Sequence, residues 1–228
     1  MVDSIVEKGI EACKADDFNK GVELFNQALA QDHKNVAALY NRARALSKIH
    51  QLEKALADFQ QLVLLQPTNA TFIGDYAVAL HLNAKNQEAE LQFNRALELE
   101  PDNPYRWSSR AFFKDRIGKS EEAIKDYEKA VELDPEDAIA LNNKGLIEEK
   151  LGYQERSKKS FNQSNKIIGY EPKGEETNAS RELKTQDVPR KDSNEVLTRW
   201  KVIKSVFTKE GFKDFSDFTK KKLLGRKD

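Results

Sequence analysis

Five aromatic side chains recur at a fixed step of 34 residues: Phe25, Phe59, Phe93, Tyr127 and Phe161. Neighbouring positions keep the same step. With units starting at Val2, Val36, Ala70, Pro104 and Ala138, the fourth place holds Ile5, Leu39, Ile73, Trp107 and Leu141. The eighth is always small: Gly9, Ala43, Ala77, Ala111 and Gly145. The twentieth holds Gly21, Ala55, Ala89, Ala123 and Ser157, and the twenty-seventh Ala28, Leu62, Ala96, Ala130 and Ser164. Pro67, Pro101 and Pro135 close three units, with His33 where an earlier proline would fall. Self-similarity at a period of about 20–50 residues marks a stacked array of small units.

Each unit reads as two helices. Apolar residues such as Leu56, Phe59 and Val63 fall on one helical face. Turns are expected at Ala15-Asp16-Asp17, His50-Gln51, Lys85-Asn86, Gly118-Lys119 and Gly152-Tyr153. The small residues let helix backbones approach, and the aromatic fills the space opposite. The prolines lie where a missing N–H and a fixed φ end the second helix. One helix pair cannot bury its apolar face alone, so the units must stack.

The pattern resembles the tetratricopeptide repeat family over roughly residues 2 to 170. The fourth unit matches best, with Trp107, Ala111, Ala123, Tyr127, Ala130 and Pro135 at the family's signature offsets. The resemblance implies an all-α right-handed superhelix of five repeats: 2–35, 36–69, 70–103, 104–137 and 138–170. Lys114 and Glu148 depart from it, standing at the eleventh place where the family prefers a large apolar residue. Ser157 and Ser164 replace alanines, which is expected to weaken packing of the last unit.

Residues 171–193 contain no aromatic side chain and read as a linker. In 194–228, Val196, Trp200, Ile203 and Phe207 share a helical face, and Phe212, Phe215 and Phe218 come after them. This basic amphipathic tail has three readings: a cap on the last unit, a segment that enters a groove of this chain or a second copy, or an interfacial helix. Its contact residues would be Trp200, Phe207, Phe212 and Phe215. Asp214 and Asp217 break its basic run, which counts against a membrane surface.

Enzymatic chemistry finds little support. The histidines His33, His50 and His81 have no metal-ligand spacing, and no phosphate-cradling glycine motif occurs. Metal, cofactor and catalytic residues are therefore expected to be none. Paired acids such as Glu121-Glu122 and Glu148-Glu149 read as solvated helix surface. The 38 basic and 38 acidic residues balance, so no general pull toward nucleic acid is implied. A lone Cys13, no signal peptide and no membrane-length apolar run point to the cytoplasm.

Function is then expected on the first helices, which the resemblance places along the concave face. Its groove positions hold Tyr40, Asn41, Arg44 and Lys48; Thr71, Asp75, Val78 and His81; Tyr105, Ser108, Ser109, Phe112 and Arg116; and Asn142, Asn143, Leu146 and Lys150. Asn side chains can pair with peptide backbone, aromatics supply apolar area, and arginines can fork onto carboxylates. Phe112 either meets a partner or tucks against the neighbouring unit. A non-catalytic scaffold or adaptor holding a peptide is the leading expectation. The alternative is an assembly subunit whose tail mediates homo-oligomerisation, autoinhibition or membrane docking. The family's two-carboxylate clamp for acidic chaperone tails needs Lys, Asn, Asn, Lys and Arg. Here Val6, Ile10, Asn41, Thr71 and Asp75 occupy those places, so no clamp-type chaperone binding is expected.

Overall fold

The structure, a computed structural model, describes residues 2–170. Among them are ten α-helices and no strand: α1 (Val2–Lys14), α2 (Phe18–Gln31), α3 (Val36–Lys48), α4 (Leu52–Leu65), α5 (Ala70–Leu82), α6 (Asn86–Leu99), α7 (Pro104–Arg116), α8 (Ser120–Leu133), α9 (Ala138–Lys150) and α10 (Gln154–Ile167). The expected linker at 171–193 and tail at 194–228, with Trp200, Phe207, Phe212 and Phe215, lie outside the described residues.

Local chemistry starts four of the five first helices. Asn35, Asn69, Asn103 and Asp137 accept backbone N–H bonds from Ala38 (2.9 Å), Thr71 (3.1 Å), Tyr105 (3.0 Å) and Ala140 (2.9 Å). Such a cap stabilises a helix by about 1 kcal/mol. The turn inside each pair uses one left-handed residue at the same repeat position: Asp16 (φ 63°), His50 (60°), Ala84 (60°), Gly118 (86°) and Gly152 (84°). In the third unit this corrects the expected turn at Lys85-Asn86, because Ala84 makes it and Asn86 already begins α6.

The second helices wedge between successive first helices: α2 packs on α1 and α3, α4 on α3 and α5, α6 on α5 and α7, and α8 on α7 and α9. Several first helices also touch directly, α1 with α3, α5 with α7 and α7 with α9. Among the described residues no two consecutive second helices make comparable contact. The row of first helices is therefore the closer-spaced, inner side of this all-α solenoid. Phe25, Phe59, Phe93 and Tyr127 are buried at the seams, and Phe161 is partly covered. The small eighth residue is sterically required at Gly9, where a Cβ would stand 2.5 Å from the Phe25 ring.

One expectation about the last units is corrected. Glu148 is not solvated surface: it is 1% exposed, accepts from Ser160 Oγ at 2.7 Å and pairs with Arg156 Nε at 3.2 Å. The serines that replace alanines, Ser157 and Ser164, are both buried, and Ser164 Oγ donates to the Ala138 carbonyl at 2.8 Å. Lys114 at the equivalent place in α7 is also buried, and pairs with Asp126 at 3.0 Å and Glu122 at 3.4 Å. Asp126 further takes a two-pronged grip from Arg110, which reaches Asn94 of the preceding unit at 2.9 Å. The same triad, Arg42, Asp58 and Asn26, recurs two units earlier.

Candidate functional site

The first-helix face divides into side chains used inside the array and side chains presented outward. Tyr40 is 8% exposed, its ring 5.3 Å from that of Phe72, and its hydroxyl donates to Asp75 Oδ2 at 2.8 Å. Arg44 lies over the Tyr40 ring, 5.6 Å from its centre. Burial raises the Tyr40 hydroxyl well above its ordinary range, and Asp75 adds to this. Burial likewise raises the Asp75 carboxyl, against the opposing effects of the Tyr40 hydrogen bond, Arg44 and Arg106.

Arg106 is itself buried, pairing with Glu100 at 2.8 Å and donating to Thr71 Oγ1 at 3.0 Å. It fits because residue 74 is glycine, where a Cβ would stand 2.9 Å from Nη1. Asp75, Val78, Tyr105, Arg106 and Ser109 line a small recess between α5 and α7. Burial lowers the Lys48 ammonium, Arg44 lowers it further by repulsion, and Asp16 opposes them.

Most of the other anticipated polar residues also have partners within the array. Asn41 donates to Ala37 of its own helix at 2.8 Å. His81 contacts Asn86 Oδ1 through Nδ1 at 2.8 Å and meets the Phe113 ring edge-on. Lys150 donates to Asp115 at 3.0 Å and Ser120 at 3.2 Å. Asn143 bonds the buried Tyr127 hydroxyl. Ser109 sits beside the Tyr105 hydroxyl, Ser108 Oγ is buried without a hydrogen-bond partner, and Asn142 and Leu146 are partly covered.

The outward side is largely apolar. Tyr105 is 60% exposed and Phe112 55%, so Phe112 is not tucked against a neighbour. Val78, Leu82 and Ile139 join them, and Arg116 is exposed beside them. Leu82 and Ile139 are additions to the residues anticipated from sequence. Their repeat offsets, the same as those of Lys48 and Tyr105, were the available signal. Isolated exposed apolar residues are ordinary, but here five stand on three successive first helices, α5, α7 and α9. Among the described residues no group of His, Cys, Asp and Glu is arranged to hold a metal. Nor is any helix of the described residues long and apolar enough to cross a membrane.

Comparison with known proteins agrees with this architecture. The tetratricopeptide repeat profiles match residues 24–57 and 138–168, and one described as TPR repeat matches 116–152. Tetratricopeptide repeat protein 28 of Homo sapiens is 40% identical over 62 residues, covering 27% of this chain and 2% of that protein. Among solved structures, MamA superposes with a TM-score of 0.61 at 22% identity, over 71% of this chain and 94% of that one. YrrB, described as a TPR protein with an unusual peptide-binding site, gives 0.55 at 15% identity, over 80% and 91%. At these identities the structural likeness bears on the fold alone. Periodicity, helix pairing and repeat profiles agree that the chain carries tetratricopeptide repeats, matched by profile over residues 24–57 and 116–168.

Proposed function

We propose that residues 2–170 act as a non-catalytic scaffold or adaptor, five repeats that hold a peptide segment of a protein partner across the inner face. The observation that carries this reading is the outward apolar row of Val78, Leu82, Tyr105, Phe112 and Ile139 on α5, α7 and α9. Burying such a row releases water from apolar surface at about 25 cal/mol per Å². The partnered polar groups around it keep the face rigid, which lowers the entropy cost of binding. A peptide-binding role is also the one described for YrrB.

Clamp-type capture of an acidic chaperone tail does not fit, because Thr71 accepts from Arg106 and Asp75 is a carboxylate where a cation is needed. A reducing, cytoplasmic setting fits the single Cys13, which is buried, its thiol pushed up to about 11 by that burial. The assembly alternative rests on residues 194–228, outside the described part.

Selection of displayed random peptides on the full chain tests this function. Recovered sequences are expected to be rich in apolar side chains. They should bind the Phe112→Ala and Tyr105→Ala variants about tenfold more weakly, at unchanged helicity. Peptides that bind both variants as well as the parent would sink it.

A further inference from the structure

The cations of α5, α7 and α9 are used inside the array with one exception, and what that exception selects rests on the peptide-holding function proposed for this face. These helices carry six Lys or Arg side chains. Five pair with carboxylates: Arg106 with Glu100, Arg110 and Lys114 with Asp126, Lys144 with Glu148, and Lys150 with Asp115. The sixth, Arg116, is exposed, and its side chain has no hydrogen bond or ion pair among the described residues. The repeat explains why. Side chains 35 residues apart join neighbouring first helices, Tyr40 to Asp75, Arg106 to Thr71 and Lys150 to Asp115. At that distance before Arg116 stands His81, which is no carboxylate and has Asn86 and the Phe113 ring as partners. The chain neighbour Asp115 is taken by Lys150 and by the Ser120 hydroxyl at 2.7 Å. Arg116 is thus an unpaired cation in an apolar stretch. Phe112 precedes it by one turn on α7, and Leu82 holds the same repeat place on α5, which touches α7.

We infer that the inner face takes a segment whose apolar side chains cover Leu82 and Phe112 and which brings a carboxylate to Arg116. An apolar segment laid over this stretch also takes water from the guanidinium, and a charge out of water without a partner is costly. A carboxylate on the segment offsets that cost by accepting from the guanidinium fork, in a charge-assisted and directional contact. A neutral segment leaves the cation unpaired, and a lysine at that point adds repulsion. The face therefore sorts apolar segments by one charge. The two-carboxylate clamp would use Val6, Ile10, Asn41, Thr71 and Asp75, not Arg116. The carboxylate can belong to an Asp or Glu side chain or to a chain terminus.

Selection on the full chain from a displayed library tests this. The library holds short peptides with free C-termini, each with Leu, Phe, Ser or Gly at random and a single Glu, Gln or Lys. A side-chain carboxylate is expected to show as recovery of Glu peptides about tenfold over their Gln counterparts. A terminal carboxylate would show instead as about tenfold weaker binding of the recovered peptides once amidated, read by fluorescence anisotropy. Whichever effect is found should vanish in Arg116→Gln and persist in Arg116→Lys, at unchanged helicity because the side chain is exposed. Arg116→Glu should favour Lys peptides, a reversal that loss of structure cannot produce. Apolar peptides that depend on Phe112 but show neither effect, or an effect that survives Arg116→Gln, would overturn the inference and leave the peptide-holding function standing. If the parent recovers no peptide, or Phe112→Ala changes nothing, the peptide-holding function fails and the inference with it.

Discussion

The N-terminal three units and the C-terminal two solve the same packing problem with different chemistry. At the eleventh place of the unit, α3 and α5 insert Leu46 and Leu80, 3% and 1% exposed. In α7 and α9 the same place holds Lys114 and Glu148, which are also buried. The turns invert the contrast. Asp16, His50 and Ala84 bear the left-handed conformation in the first three units, where an L side chain costs about 1–2 kcal/mol. Gly118 and Gly152 take it in the last two at no steric cost. At the eleventh place, then, α3 and α5 are apolar and α7 and α9 polar, while the turns are strained in the first three units and relaxed in the last two. A repeat slot therefore specifies a volume and a set of neighbours, and either hydrocarbon or a fully partnered polar group can satisfy it.

The sharpest way to break this comparison is to move the polar chemistry without its partners. Leu80→Glu in α5 places a carboxylate in an apolar cluster with Ala89, Phe93 and Phe113. The expected loss is about 4 kcal/mol or more, seen as a fall in the denaturation midpoint of the helical signal. A loss under about 1 kcal/mol would mean that the two interiors are interchangeable.

Next in size is Asp126→Ala, which strips one carboxylate from both Arg110 and Lys114. A cost of about 3 kcal/mol is expected, because two largely covered cations are affected: Arg110 loses the carboxylate it grips and Lys114 the nearer of its two. Adding Lys114→Leu to that variant should recover part of the loss in the same denaturation assay.

Exchanging turn residues probes the other half of the contrast. Ala84→Gly should stabilise by about 1 kcal/mol, and Gly118→Ala should destabilise by about as much. A Cβ at Gly118 meets nothing within 4 Å, so any cost there is backbone strain and not a clash. Equal melting temperatures for parent and both variants would refute the strain assigned to position 84.

The smallest effect is expected for Glu148→Leu made together with Ser160→Ala, which removes the buried hydroxyl that would otherwise lose its acceptor. The first change replaces a buried charge by the residue type that fills this place in α3 and α5, and Arg156, which is half-exposed, can turn to water. A change within about 1 kcal/mol of zero is expected, whereas Glu148→Ala should cost more by leaving a void as well.

How far the sequence could be read depended on whether a residue's fate is set locally. Helix pairs, caps and turn positions obey short-range rules, and Asn35, Asn69 and Asn103 mark three helix starts before any packing is considered. Glu148 shows the other case. Its neighbour Glu149 is exposed; the repeat register sets Glu148 at a place that favours an apolar residue, but no local signal says what would partner its carboxylate there. Ser160 and Arg156, which make burial of Glu148 tolerable, lie on the following helix. Tyr40 is similar: its offset put it on the inner face, and Asp75, 35 residues on, draws its hydroxyl inward.

The sequence by itself determined the periodicity, the all-α class and the register of all five helix pairs. These arise from spacing that any single unit displays, because a 34-residue step of small and aromatic residues has one efficient way to stack. Only the tertiary structure decided which inner-face side chains are used up within the array and which remain exposed. That division depends on contacts between units, where Arg106 reaches Thr71 and Lys150 reaches Asp115, and such contacts join residues far apart in the chain. Tyr105 and Phe112 stay outward because no neighbouring unit offers a pocket that covers them.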